Sequence, residues 1–569
     1  MDAFKKAVVD ALAEQTGMPR EAVEQLVSAP PDSSLGDYAF PCYALSKQLK
    51  KNPVAVAAEL QAKVKLGKLI EKTAANGPYL NFFVKKAALA ESAITAVLKE
   101  KGKYGSLKLK GKKALIEHTS INPNASPHVG RARNAIIGDA LARILRFHGY
   151  KTEVHYYVND IGKQIAMLVL GCEGKKKLTF EELLSHYIRI NAELEKNPEI
   201  EKEVFALLKK IEDRDKKAVA DFKRVVKLCI DGQSRIFAEL GISYDYFDYE
   251  SKYLWSKETT EVLKKLEKTG RVFLDSEQRY VLNLDGFDLA METPVFVLTR
   301  ADKTSLYGLR DIAYNMEKIS RAKDRNIVVL GEDHKLYFKQ VTAALSLLGL
   351  KAPEVVHYSF ILLTTGKMST RSGNLVLLED FMKQAAEKAE GEILARNKNI
   401  SRAELKKLAA SIGYGAIKYH IIKVGPEKNV TFDWQQALSF EGESAPYIQY
   451  AHARICSILK KAGSNKYEEV KSTTTVNYAL LQKDEELQLV KTIADFPNIT
   501  AKAVSQLKPH LIANHLQLLA DSFNSFYHAC PVITDDKGLM AARIALIQAV
   551  KQVLETGLNL VGIDAVDRM

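Results

Sequence analysis

From about residue 110 to 385 the chain alternates two hydrophobic rhythms. Short apolar, β-branched runs at 114–118, 152–158, 295–299, 327–331 and 356–363 read as strands. Between them, apolar residues recur at the three- and four-residue spacing of helices. Runs that are apolar on both faces suit a parallel sheet covered on each side. The clearest unit joins Ala114, Leu115 and Ile116 to a helix striped by Ile136, Ile137, Leu141, Ile144 and Leu145. The turn between them, Asn122 to Arg131, reads NPNASPHVGR, and Pro127 fits near the first helical turn. The alternation breaks at about 172–255. That stretch is Lys/Glu-rich and helical, and reads as an insertion with much solvated surface.

Ahead of this region, helical patterns near 3–14, 20–28, 41–50 and 53–65 lead to a strand at 79–84 and a helix at 86–99. A lysine-rich run over 99–113 reads as a linker. Beyond it, apolar spacing is regular in 404–423, 444–461, 484–497, 510–530 and 539–559, with no convincing strand, which predicts a helical bundle. The expected fold is α/β: an α+β domain over 1–108, a parallel-sheet domain over 109–385 with the insertion near 172–255, and an all-α domain over 386–569.

Composition narrows the class. The 569 residues are enough for three to four domains of about 150 residues each. Hydrophobic residues at 47% and charged residues at 27% are ordinary for a globular protein. The net charge of +13 suits a polyanionic partner. No apolar run approaches the ~20 residues of a membrane helix. The start, MDAFKKAVVDAL, reads as an amphipathic helix rather than a signal peptide. The cysteines 42, 172, 229, 456 and 530 are far apart and form no C-x-x-C. That argues against a disulfide framework and a zinc knuckle, and fits a reducing cytoplasm.

Three groups of residues can carry chemistry. His128 and Arg131 are three apart on one face of a new helix, where free N–H groups and the helix dipole suit a phosphate. Gly130 between them lets a ligand come close. Lys367-Met368-Ser369-Thr370-Arg371-Ser372-Gly373-Asn374 follows the last strand of the sheet, bracketed by Gly366 and Gly373. Lys367 and Arg371 are placed to close over a triphosphate as charge builds on departing pyrophosphate. Glu117 ends the strand before His128, and Asp311 lies four residues after Tyr307, so one helical turn would put both on one face. Outside the sheet, Leu35 to Cys42 presents Asp37, Tyr38 and Phe40 in a turn. Those aromatics either stack on unpaired bases or plug the small domain's core.

NPNASPHVGR resembles the His-x-Gly-His motif of class I aminoacyl-tRNA synthetases. With Arg133 to Asp139 after it, it is similar to the arginyl branch. Lys367 to Asn374 resembles the Lys-Met-Ser-Lys-Ser loop of the same class. Arg131 stands where the family has a second His, and Thr370 where it has a second Lys. The resemblance implies a Rossmann-type catalytic domain, a tRNA-contacting amino-terminal domain and a helical anticodon-binding domain. It implies ATP binding by His128, Gly130, Arg131, Lys367, Met368, Ser369 and Arg371, with His128, Arg131 and Lys367 catalytic. A guanidinium needs paired carboxylate acceptors, and by the resemblance Glu117, Tyr307 and Asp311 hold it. Asn122 and His334 hold the α-amino and carboxylate end. Asp37, Tyr38, Phe40, Tyr450, His452 and Arg454 are the implied tRNA contacts. The implied partners are tRNA(Arg), L-arginine and ATP with Mg2+, without zinc or membrane, for a cytoplasmic monomer. Two readings stay open at this stage: a class I synthetase for another amino acid, and a non-enzymatic RNA-binding relative.

Overall fold

The computed structural model describes residues 3–175, 177–363, 366–367, 376–396, 399–463 and 476–569. The chain divides into two compact units. One joins Met1–Tyr104, Ile455–Phe496 and Leu518–Val553; the other joins Gly105–Arg454, Pro497–Gln517 and Leu554–Met569.

The first unit holds β1 (Tyr38–Pro41), β2 (Ile70–Asn76) and β3 (Tyr79–Val84), antiparallel in the order β1-β3-β2. Phe4, Val8, Leu12, Phe40, Leu60, Leu80 and Phe82 share its core. The stretch around Asp37 is therefore not a turn that displays aromatics. Gly36, at φ +127°, turns the chain into β1, and a Cβ there would lie 2.9 Å from the Phe82 carbonyl oxygen. Phe40 faces Leu80 across the pair and is fully buried, so it is a core residue and not a tRNA contact. Asp37 accepts from the Val84 amide at 2.9 Å and pairs with Lys491 at 2.6 Å. Exposed rings of this unit include Tyr43 and Tyr79, edge to face at 5.9 Å, and Tyr527. Within the same unit, Arg543 and Glu486 form a buried ion pair at 2.7 Å, and Arg543 also donates to the Pro531 carbonyl.

The second unit holds β4 (Lys113–Glu117), β5 (Lys151–Val158), β6 (Tyr246–Tyr249), β7 (Val272–Leu274), β8 (Tyr280–Asn283), β9 (Val295–Val297), β10 (Arg325–Gly331), β11 (Glu354–Tyr358), β12 (Ile361–Leu363), β13 (Gly366–Lys367) and β14 (Val430–Phe432). Five of them form a parallel sheet in the order β11-β10-β4-β5-β6. Leu115, Ile116, Val154, Ile327 and Val329 are buried in it. The helix Val129–Phe147 buries Ile136, Ile137, Leu141, Ile144 and Leu145, the stripe read from the sequence. The sheet is the Rossmann-type α/β layer expected.

Its membership differs from the sequence reading in three places. The 295–299 run is not in the parallel sheet; β9 closes an antiparallel β7-β8-β9 sheet. The 356–363 run divides into β11 and β12, because Ser359 and Phe360 are bent away by bonds to Pro426 and Asn429. β12 pairs in parallel with β14, so the region expected to be all helix contributes one short strand. The fifth strand, β6, comes from the stretch read wholly as an insertion, with Tyr157 opposite Asp248. Three amphipathic helices, Phe180–Lys196, Glu199–Glu212 and Lys216–Glu239, and the short helix Ser251–Trp255 account for most of the rest of that stretch. Among the described residues, no helix is long and apolar enough to cross a membrane.

Because Phe40 fills the first unit's core, Phe40→Ala is expected to destabilise that unit by about 3–5 kcal/mol, measured as a lower denaturant midpoint. A variant as stable as wild type but weaker in tRNA binding would return the ring to RNA.

Candidate active site

A parallel sheet aligns the carboxyl ends of its strands, and ligands of open α/β sheets bind along that edge. β4 ends at Glu117, β5 runs into Asn159 and Asp160, β6 into Glu250, and β10 into Glu332 to His334. The chain leaves β4 through Thr119 and Ser120, both at positive φ (69° and 43°). Such a conformation is costly for a β-branched residue and persists only where neighbours impose it. Here they do: the Thr119 amide donates to Asn134 Oδ1 at 2.6 Å, and Ser120 Oγ accepts from the Tyr157 amide at 3.1 Å. The following loop is braced by Gln233, whose amide donates to the Asn122 and Ala125 carbonyls, and by Tyr156 at Ile121. Gln233 lies on the helix Lys216–Glu239, so the insertion supports the motif as well as making surface.

His128 is the N-cap of the helix that starts at Val129, so Pro127 lies just ahead of the first turn, and Arg131 lies in that turn. Both side chains are partly buried. Burial, helped by the Arg131 charge, pushes the His128 imidazole down to about 4, so it is neutral at physiological pH. The same turn is tied to the segment that follows the second motif. The Val129 amide donates to the Val376 carbonyl, the Leu378 amide to the Pro127 carbonyl, and Ser126 Oγ to Glu379. From the same helix, the buried Arg133 donates to the Ser359, Phe360 and Gly425 carbonyls, just ahead of β12. Thus the chain is anchored on this helix on both sides of the second motif. Lys367 lies in β13, paired with Leu362. Met368, Ser369 and Arg371 lie outside the described residues.

Tyr307 opens the helix Tyr307–Arg321, and Asp311 follows one turn later, as the spacing predicted. Asp311 accepts from the Tyr337 hydroxyl, and the Tyr337 ring lies 4.9 Å from the half-exposed Tyr307 ring. Burial raises the Asp311 carboxyl above its usual range; the Glu117 charge adds to this, while the Tyr337 bond and Lys318 oppose it. Glu117 is buried, accepts from Ser120 Oγ at 3.3 Å, and pairs with Lys318. The Arg310 guanidinium turns away from Asp311 to Glu250 Oε1 at 2.7 Å. Glu250 itself is pushed up to about 7, mainly by burial. Asn122 donates to Gln164 at 3.0 Å, and His334 is exposed at the end of β10 with Asp333 3.7 Å away.

The structure therefore brings Glu117, Tyr307 and Asp311 into one electrostatic neighbourhood and sets Asn122 and His334 on the same sheet edge. Sequence reasoning missed Lys318, Tyr337 and Asn134. Lys318 was accessible to it, since it lies two turns beyond Asp311 on the same helix face. Farther along, His452 is buried and its Nδ1 bonds the Val566 carbonyl at 2.9 Å, so its ring fixes the chain rather than facing RNA. Tyr450 and Arg454 are partly buried and touch each other, with the guanidinium 4.5 Å from the ring.

A parallel sheet with an anion-suited helix start and two buried carboxylates along its carboxyl edge suits a nucleotide-using enzyme, and the family match makes it a class I aminoacyl-tRNA synthetase, a class that uses ATP. The model described as tRNA synthetases class I (R), catalytic domain, matches residues 93–434. The arginyl tRNA synthetase N terminal domain matches 2–84, and the DALR anticodon binding domain 448–569. The chain is 41% identical over 554 residues to the arginine–tRNA ligase of Methanocaldococcus jannaschii, covering 95% of each chain. It is 40% identical over 538 residues to that of Methanocella arvoryzae, covering 93% and 92%. The arginyl-tRNA synthetase of Thermus thermophilus superposes with a TM-score of 0.81 at 28% identity, over 100% of this chain and 99% of that one. The chain belongs to the arginyl-tRNA synthetase family, whose function is aminoacylation of tRNA(Arg).

The buried imidazole gives a test. An unfolded histidine takes its proton near 6.5, well above the folded value of about 4. The unfolded chain thus binds more protons in that window, and stability falls as pH drops through it. His128→Asn should remove this part of the acid slope, and NMR should show the wild-type ring neutral down to about pH 5. A ring titrating near 6.5 would contradict the burial account.

Proposed function

We propose that this chain activates L-arginine with ATP and transfers it to the 3′ end of tRNA(Arg). The observation that carries the reading is the Glu117–Asp311 carboxylate pair behind the Tyr307 ring. Planar, cationic guanidinium calls for paired acceptors, and a neutral side chain would leave these buried carboxylates unmatched. Asn122 and His334 take the amino and carboxylate end. ATP enters as its magnesium complex over the His128–Arg131 turn, with Gly130 allowing close approach, and no zinc is called for. The arginine carboxylate attacks the α-phosphate, giving arginyl-adenylate and releasing pyrophosphate. The terminal ribose hydroxyl of the tRNA then attacks the acyl carbon and AMP leaves. No residue becomes a covalent nucleophile. His128, Arg131 and Lys367 act by placing donors and charge where the phosphates gain charge. Because the His128 ring is neutral, it serves as a hydrogen-bond donor rather than a cation. Lys367, with Met368, Ser369 and Arg371, closes on the ATP phosphates from the second motif.

Asp37, Tyr38, Tyr450 and Arg454 remain the proposed tRNA contacts, and the +13 charge favours the polyanion. The proposed state is a cytoplasmic monomer, with the amino-terminal, catalytic and anticodon-binding domains at 1–108, 109–385 and 386–569.

Charging of unfractionated tRNA with labelled arginine tests the reaction. Asp311→Ala should raise the arginine KM on the order of 100-fold, about 3 kcal/mol, with little change for ATP. An equal effect on both substrates would discard the pocket. Lys367→Ala should lower the activation rate by roughly 100-fold or more while leaving the arginine KM near wild type; an unchanged rate would remove Lys367 from the mechanism.

A further inference from the structure

Lys318 is 1% exposed. Its ammonium bonds Glu117 Oε2 and lies 4.5 Å from the centre of the Tyr314 ring. A lysine is rarely buried so fully, and removing it from water is costly unless a fixed partner compensates. Here the partner is one of the two carboxylates proposed to receive the guanidinium. Three of the four carboxylate oxygens have a partner among the described residues. Glu117 Oε2 is taken by Lys318 and Asp311 Oδ2 by Tyr337, while Glu117 Oε1 receives only the 3.3 Å contact from Ser120. The nearby Arg310 is engaged by Glu250. Counting Glu117 (−1), Asp311 (−1) and Lys318 (+1), the pocket carries one net negative charge.

We propose that Lys318 is a specificity-determining positioning residue, which orients Glu117 and sets the pocket to the single negative charge that one guanidinium neutralises. This rests on the arginine-pocket reading above. Without Lys318, two carboxylates would face each other uncompensated, and Asp311 would keep its proton to higher pH. A protonated Asp311 offers one acceptor fewer and no charge, so arginine would bind only where the medium is alkaline enough to remove that proton. The groups facing Asp311 are Tyr307 and Lys318 on its own helix, Tyr337 on the next helix, Glu117 at the end of β4, Tyr157 on β5, and Glu250 after β6. Only Lys318 among them is a cation.

The test is steady-state pyrophosphate exchange by the full-length protein as Lys318→Met and Lys318→Arg. Lys318→Met should raise the arginine KM roughly 30-fold with the ATP KM within about twofold. Its arginine KM should improve from pH 7 to 9 far more than that of wild type. Lys318→Arg, which keeps the charge, should restore most of the affinity. If Lys318→Met does not fold, Lys318→Gln, which keeps a donor for Glu117 without the charge, is read in the same way. A folded variant with unchanged arginine KM, or with arginine and ATP KM raised equally and no new pH dependence, overturns the proposal. Failure of wild type to exchange with arginine, with and without unfractionated tRNA, would instead overturn the arginine-pocket reading itself.

Discussion

Two carboxylates, Glu117 and Asp311, are held out of bulk water at the carboxyl edge of the parallel sheet, and the rest of the site answers to that constraint. Buried charge survives only when it is paired and hydrogen-bonded. Lys318 and Ser120 meet Glu117, and Tyr337 meets Asp311. Arg310, the residue beside Asp311 and chemically a copy of the proposed substrate's side chain, is kept out of the way by Glu250. In the proposed function this pair discriminates by charge and planarity, because a wrong side chain leaves the acids unsatisfied.

The second constraint is mutual placement of the two motifs. The helix that begins at Val129 contributes the His128–Arg131 turn. Through Arg133 and the backbone of Pro127 and Val129, it also fixes the chain ahead of β12 and at Val376–Leu378. Reacting atoms must be placed to fractions of an ångström, and these bonds tie the described chain ahead of and after the second motif to the helix that carries the first.

Much of this was legible in the sequence because the informative patterns are local. The β4 run, the helix stripe from Ile136 to Leu145, and the one-turn spacing of Tyr307 and Asp311 each depend on a few neighbouring residues. What was not legible depends on partners far along the chain. The four residues of β6 carry a weak signal between Lys/Glu-rich helices, and only pairing with β5 makes them a strand. The 295–299 run has the composition of a central strand, yet its register partner is β8. Phe40 and His452 looked like displayed rings, and only the Leu80 pairing and the Val566 carbonyl assign them inward. Lys318 is the intermediate case: its spacing from Asp311 was visible, but its partner Glu117 lies in another element.

The central claim is that the acid pair selects arginine. Its most direct test is ATP–pyrophosphate exchange by the full-length protein with each amino acid in turn, with and without unfractionated tRNA. The account predicts exchange with arginine alone among them, and tRNA-dependent exchange would add that tRNA binding completes the site. Exchange with a different amino acid, or none under either condition while tRNA still binds, would contradict it.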